Sequence, residues 1–149
     1  MTESKNVTIR TLKGEDMPAL VEIDKKVLGQ ERSEYWQMKL ELLECKSPIG
    51  SLVAERDGKV VGFVLGDASG WEFGISTRVG WIDTIGVDPD YQHSGIARQL
   101  IREMVNNLKK VGVGTVYTFV DWRNRDMLKF FDKIGFGRGN MINLEMKIE

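Results

Sequence analysis

The chain has 149 residues, 42% of them apolar and 29% charged, with a formal net charge of −1. That is the size and composition of one globular domain spanning residues 1–149, and it argues against a disordered or fibrous chain. The near-neutral balance offers no basic field for nucleic acid or an anionic membrane.

A single cysteine, Cys45, and a single histidine, His93, leave no intramolecular disulfide and no Cys- or His-built metal site, so no metal is expected. Cys45 reads as a packed or idle thiol. Met1 to Asn6 lacks the apolar core of a secretory leader, and the longest near-apolar run, Val60 to Gly66, is far too short for a bilayer. The expectation is a soluble cytoplasmic protein, monomer or homodimer.

Val7 to Arg10 alternates and predicts a first strand. From Gly14 the period changes. Met17, Leu20, Val21, Asp24, Val27 and Leu28 recur at helical spacing, Glu15 and Asp16 sit in the first turn, and Gly29 ends the run. Ser33 predicts the cap of a second helix with Trp36, Leu40 and Leu43 on one face and Tyr35, Met38 and Leu42 beside it, closed by Pro48 and Gly50.

Ser51 to Glu55 and Lys59 to Leu65 read as strands joined by Arg56-Asp57-Gly58, a strong hairpin signal. Gly66 to Gly80, with Trp71 and Phe73 among its glycines, reads as a loop or as the tip of a second hairpin.

Trp81 to Gly112 organises the chain. It reads as a strand to Val87, a turn at Asp88-Pro89-Asp90-Tyr91, a polar loop from Gln92 to Ala97, and a helix. Ala97, Leu100, Ile101, Met104, Val105, Leu108 and Val111 share the face of that helix, and Gly112 stops it. The loop offers consecutive backbone N–H groups at the positive end of the helix, which makes an anion site.

Thr115 to Val120 reads as a buried strand parallel to Trp81–Val87, with the intervening helix as the crossover. Asn124 caps a last helix whose apolar face is Met127, Leu128, Phe130, Phe131 and Ile134, with Gly135 as its stop. Met141 to Ile148 alternates strictly and predicts a half-buried edge strand. The order is β-αα-βββ-α-β-α-β, a mixed α/β sheet flanked by helices.

Two nucleotide motifs fail on spelling. A Walker loop ends Gly-Lys-Ser/Thr where this chain has Gly95-Ile96-Ala97, and the dinucleotide fingerprint needs three glycines where only Gly95 is present. The pattern that fits is Gln/Arg-x-x-Gly-x-Gly/Ala. With it, Trp81 to Ala97 resembles motif A of the GNAT superfamily of N-acetyltransferases. Asn124 followed by Phe130-Phe131-Asp132-Lys133-Ile134-Gly135-Phe136 resembles its motif B.

The resemblance implies a splayed mixed sheet and acetyl transfer from acetyl-CoA to a primary amine, on a small molecule or on a peptide or protein. It assigns the CoA diphosphate to His93, Ser94, Gly95, Ile96, Ala97 and Arg98 of the loop, and places Gln92 in the cofactor-binding set. The pantetheine amides go to the backbone of Ile85, Gly86 and Val87, where an N–H would also stabilise the tetrahedral oxyanion. Asn124 and Phe131 complete the cofactor set, and Tyr35, Trp36 and Glu72, in segments that border the cofactor cleft in similar folds, are assigned to the acceptor.

Two positions depart from the pattern. Phe131 stands where many members carry a Tyr that protonates the leaving thiolate, and a phenyl ring cannot donate a proton. Asp83 stands where relatives place a Glu. It is the candidate general base or relay, on the face of Trp81, Ile85 and Val87, against the alternative of a carboxylate that holds a backbone amide or an Arg. Asp121 and His93 are poorer candidates. An excess of acids between Asp67 and Asp90 over Arg78 favours a cationic acceptor, although a solvated acidic face explains the same run.

A site without a strong base favours an α-amine. Deprotonation at pH 7 costs about 1 kcal/mol for a pKa of ~7.8 and about 4.6 kcal/mol for ~10.4. The rival function is a non-catalytic acyl-CoA-binding or sensing module.

Overall fold

A computed structural model of the chain describes residues 6–44, 50–70 and 78–149. The expectations placed on Cys45, Pro48, Trp71, Glu72 and Phe73 lie outside the described residues. The chain forms two compact units, one up to Thr118 and one from Phe119.

The first unit is a five-stranded sheet in the order β1-β2-β3-β4-β5. Its strands are β1 (Val7–Thr11), β2 (Leu52–Arg56), β3 (Lys59–Gly70), β4 (Arg78–Val87) and β5 (Thr115–Thr118). The first four pair antiparallel and β5 runs parallel to β4. Asp57 and Gly58 turn the β2–β3 hairpin with φ of 53° and 77°, the left-handed pair that matches strand twist. Gly66 to Gly80 resolves in favour of the hairpin alternative, since Gly66 to Gly70 pairs with Arg78 to Ile82.

Helix α1 (Met17–Leu28) follows a single 3-10 turn and stops at Gly29, whose φ is 78°. It buries Met17, Leu20 and Ile23 against Phe63, Val53 and Leu65. Val27 and Leu28, expected on that face, are exposed. They lie beyond the last core turn of the helix.

Helix α2 (Ser33–Glu44) begins with a bond from Trp36 N–H to the Arg32 carbonyl, so Arg32 rather than Ser33 stands at the N-cap. Trp36 is buried in the same core, edge-on to Phe63. Helix α3 (Ile96–Lys110) covers the opposite sheet face with Ile96, Leu100, Ile101, Met104 and Leu108. This is the layered arrangement the apolar periodicities require.

Strand β5 corrects the sequence reading. It ends at Thr118 rather than Val120, and its residues are half-buried or exposed because it is the last strand of the order.

In the second unit, α4 (Arg125–Lys133) is capped by Asn124, whose Oδ1 accepts from Met127 N–H at 3.2 Å. Phe131 is buried, edge-on to both Phe130 and Phe136. Gly135 follows with φ 106°. The strand expected over Met141 to Ile148 does not form. That stretch makes no ladder, and Ile142, Leu144, Met146 and Ile148 are 82–90% exposed. Alternation supplies a face for a strand but not the neighbour whose N–H and C=O groups would hold it.

Among the described residues no helix is long and apolar enough to cross a membrane.

Candidate active site

The site is built on β4. Its parallel ladder with β5 runs from Val79 opposite Thr115 to Ile82 opposite Thr118, and the Thr118 hydroxyl closes it by donating to the Ile82 carbonyl at 3.1 Å. Beyond Ile82 the other edge of β4 continues to pair with β3, from Gly62 opposite Val87 to Leu65 opposite Thr84. From Asp83 to Val87 the β5 side of the strand thus has no β5 partner. Ile85, Gly86 and Val87, expected to offer free backbone groups, fall on this open stretch.

A bulge sits where the ladder ends. Leu65 pairs with Thr84 and Gly66 with Ile82, which leaves Asp83 as the extra residue. The bulge reverses the alternation. A Cβ on Gly80 would meet Leu108 and Val113 on the α3 side, whereas one on Gly86 would meet Phe63 and Ile23 on the α1 side.

Two consecutive side chains, Asp83 and Thr84, consequently point to α2. Lys39 Nζ donates to Asp83 Oδ2 at 3.0 Å, and the Tyr35 hydroxyl is hydrogen-bonded to Thr84 Oγ1. Asp83 therefore does not share a face with Ile85 and Val87 as simple alternation predicts, because the bulge adds one residue to the count.

β4 then enters the anion loop through a fixed turn. Asp88 N–H donates to Val61 O and Tyr91 N–H to Asp88 O, each at 2.8 Å. The Asp88 side chain, only 1% exposed, accepts from Asp90 N–H at 3.0 Å and from Lys26 Nζ at 3.1 Å. Burial pushes this carboxyl up, but the Asp90 amide and the Lys26 ammonium outweigh it and hold it below the usual carboxylate range.

Gln92 donates its side-chain amide to Val87 O at 3.1 Å, and Ser94 donates its hydroxyl to Tyr91 O at 2.5 Å. His93 and Gly95 take φ of 63° and 86°, which turns the loop into α3. The first α3 bond is Gln99 N–H to Gly95 O, at 3.0 Å. The N–H groups of Ile96, Ala97 and Arg98 have no acceptor within the helix, and they sit at its positive end. This region can hold a multiply charged anion beside a stretch of β4 that has no β5 partner among the described residues.

Several assignments change. Trp36 is 3% exposed and donates its indole N–H to Asp24 Oδ2 at 2.8 Å, so it is a core residue and not an acceptor contact. Burial raises the Asp24 carboxyl, but Arg32, bonded at 2.8 and 3.0 Å, and the Trp36 indole leave it depressed. Tyr35 is half-buried between the Arg32 guanidinium, 3.9 Å from its ring centroid, and Thr84.

The acidic run is partly neutralised, since Asp83 and Asp88 each hold a lysine. Asp121 is clasped by Arg123 at 2.9 to 3.1 Å, and that guanidinium holds its carboxyl low. Asn124 spends its carbonyl oxygen on the α4 cap. His93 is exposed.

Lys39, Thr84, Lys26 and the burial of Asp88 escaped the sequence reading. The i, i+4 spacing of Tyr35 and Lys39 was a usable signal.

Residues 16–136 match the model of the acetyltransferase (GNAT) family, and the chain belongs to that family. It is similar to a mycothiol acetyltransferase of Thermomonospora curvata, 30% identical over 93% of this chain and 46% of that protein. It is also similar to the [ribosomal protein bS18]-alanine N-acetyltransferase of Escherichia coli K12, 33% identical over 38% of each chain.

Among solved structures, AAC(6')-Iy in complex with the bisubstrate analogue CoA-S-monomethyl-acetylneamine superposes with a TM-score of 0.78. It is 19% identical, over 95% of this chain and 98% of that one. At that identity the likeness concerns the fold. The chain spans about half the length of the curated relatives it matches.

Proposed function

We propose that the protein is an acetyl-CoA-dependent N-acetyltransferase that acetylates a primary amine by direct attack in a ternary complex. The observation that carries this reading is the open edge of β4 beyond Ile82 running straight into the N–H-rich start of α3. An extended chain of amides ending in a diphosphate fits that continuous path, and CoA has that shape and charge.

The pantetheine amides pair with the backbone of Ile85, Gly86 and Val87, and the diphosphate sits on the N–H groups from His93 to Arg98. An N–H of the open strand polarises the thioester carbonyl and holds the oxyanion. Asp83, or water beside it, takes the amine proton once the acceptor has replaced Lys39.

The acceptor reading is an α-amine of a peptide or protein, with Tyr35 near its path. It is supported by the deprotonation cost of about 1 kcal/mol, against about 4.6 kcal/mol for a lysine-like amine at pH 7. The bS18-alanine relative acts, by its name, on an alanine. The whole chain then serves as one catalytic domain.

Phe131 in place of the expected Tyr favours a second reading, an acyl-CoA-binding module without turnover. CoA release from acetyl-CoA, followed over a panel of an N-terminal alanyl peptide, its Nα-blocked lysyl counterpart and neamine, separates the two. Turnover of the free-amine peptide supports the enzyme. CoA binding with no turnover supports the module, and no binding removes both.

A further inference from the structure

Phe131 cannot protonate a leaving thiolate, and its ring is enclosed by Phe130 and Phe136. The proton must come from elsewhere. Among the described residues two acidic hydrogens reach the β4 bulge from side chains, the Lys39 ammonium on Asp83 and the Tyr35 hydroxyl on Thr84. Lys39 is held by the carboxylate that the proposed mechanism uses for the amine proton. Tyr35 is placed independently of it.

Thr84 directly precedes Ile85, where the open strand edge begins to serve the cofactor arm. The bulge turns Thr84 toward α2, so a phenol from the first turn of that helix meets the strand one residue before Ile85. The ring is fixed from three sides. Trp36 lies edge-on at 5.1 Å, the Arg32 guanidinium lies over it at 3.9 Å, and Lys39 Nζ is 5.7 Å from the ring centroid.

We propose that Tyr35, carried by α2 and bonded to Thr84 at the bulge, is the acid that protonates the CoA thiolate in place of the Tyr absent at Phe131. This inference rests on the acetyl-transfer reading. When the tetrahedral intermediate collapses, the C–S bond breaks with its electron pair on sulfur, and sulfur takes the Tyr35 proton. The amine nitrogen, which gained a bond to the acetyl carbon, loses one proton to Asp83 or water. Solvent reprotonates the tyrosinate, and the sum is acetyl-CoA plus amine giving amide plus CoA thiol.

Tyr35→Phe removes the hydroxyl and keeps the ring under Arg32 and beside Trp36. With acetyl-CoA and the N-terminal alanyl peptide, kcat falls about 100-fold, the lower range of general-acid contributions. KM for acetyl-CoA changes less than about twofold, because the loss is confined to the transition state. The alkaline limb of the kcat profile disappears.

Site-specific placement of 3,5-difluorotyrosine at position 35 moves that limb toward neutral pH, which a purely structural hydroxyl would not do. A Y35F enzyme that keeps kcat within about threefold, or a limb unmoved by fluorination, overturns the role while wild-type turnover stands. Absence of wild-type turnover across the panel overturns the functional reading, and this role with it.

Discussion

Lys39 and Asp83 lie 44 residues apart in the chain and meet across the gap between α2 and the β4 bulge, Nζ to Oδ2 at 3.0 Å. The candidate base is therefore already occupied by a cation. An acceptor amine must displace that ammonium before it can use the carboxylate.

Lys39→Met removes the competitor. An ion pair in contact with water is worth about 0.2–1 kcal/mol, so KM for the amine should fall by up to about fivefold. Asp83→Asn should instead lower kcat by about 100-fold, with KM for acetyl-CoA little changed. Steady-state kinetics on both variants checks the pair. A K39M enzyme with a raised acceptor KM would show that Lys39 helps binding.

Gly95 begins the anion loop's final turn with φ of 86° and no atom within 4 Å of an added Cβ. The cost of a side chain there is thus conformational, about 1–2 kcal/mol for a residue that resists the left-handed region. Gly95→Val should weaken CoA binding more than Gly95→Asn, because Asn tolerates that conformation and Val does not. Calorimetric titration with CoA measures both. Equal losses would point to a steric cause.

Asp88 is an anion buried next to the loop proposed to hold the CoA diphosphate. Lys26 neutralises it, and Lys26→Met should weaken CoA binding by leaving the carboxylate to repel the diphosphate. Asp88→Asn in the same protein should restore part of that affinity, at the expense of the turn it holds. Titrating CoA into the single and double variants decides it, and a double variant weaker than K26M would rule out repulsion.

Asp16, Asp24 and Asp88 all have depressed carboxyls. For Asp16 the first cause is the Arg10 fork at 2.8 and 2.9 Å. A carboxyl whose folded pKa lies below its unfolded value of about 3.9 is stabilising above that pH, and the contribution disappears as pH falls through the folded value. The melting temperature should therefore drop as pH goes from 5 toward 2, and Asp24→Asn should flatten that drop. Trp36→Phe, which removes a hydrogen bond to Asp24, should lower the melting temperature while leaving acceptor KM unchanged.

Much of this was legible from local chemistry. Asp57-Gly58 dictates its hairpin, Gly29 and Gly135 end helices as left-handed stops, and Val87 through Ala97 spells an N–H-lined loop whose form follows from Pro89 and Gly95. What stayed hidden depends on partners distant in sequence. The bulge at Asp83 arises from the register between β3 and β4, and no spacing in either strand announces it. The same holds for Lys26 on Asp88, 62 residues away, and for Tyr35 on Thr84, 49 away. Trp36 misled because a tryptophan on an amphipathic helix looks the same whether it faces core or cleft. Met141 to Ile148 misled because periodicity describes a face and says nothing of a neighbour.

The most direct test of the account is mass spectrometry of an N-terminal alanyl peptide incubated with the protein and acetyl-CoA, alongside the same peptide with its α-amine blocked and a lysine left free. The account predicts a single acetyl group on the α-amine of the first peptide, formed with one equivalent of CoA thiol, and little on the second. Equal acetylation of both would contradict the α-amine assignment. CoA bound without acetylation of either peptide or of neamine would contradict the claim of catalysis.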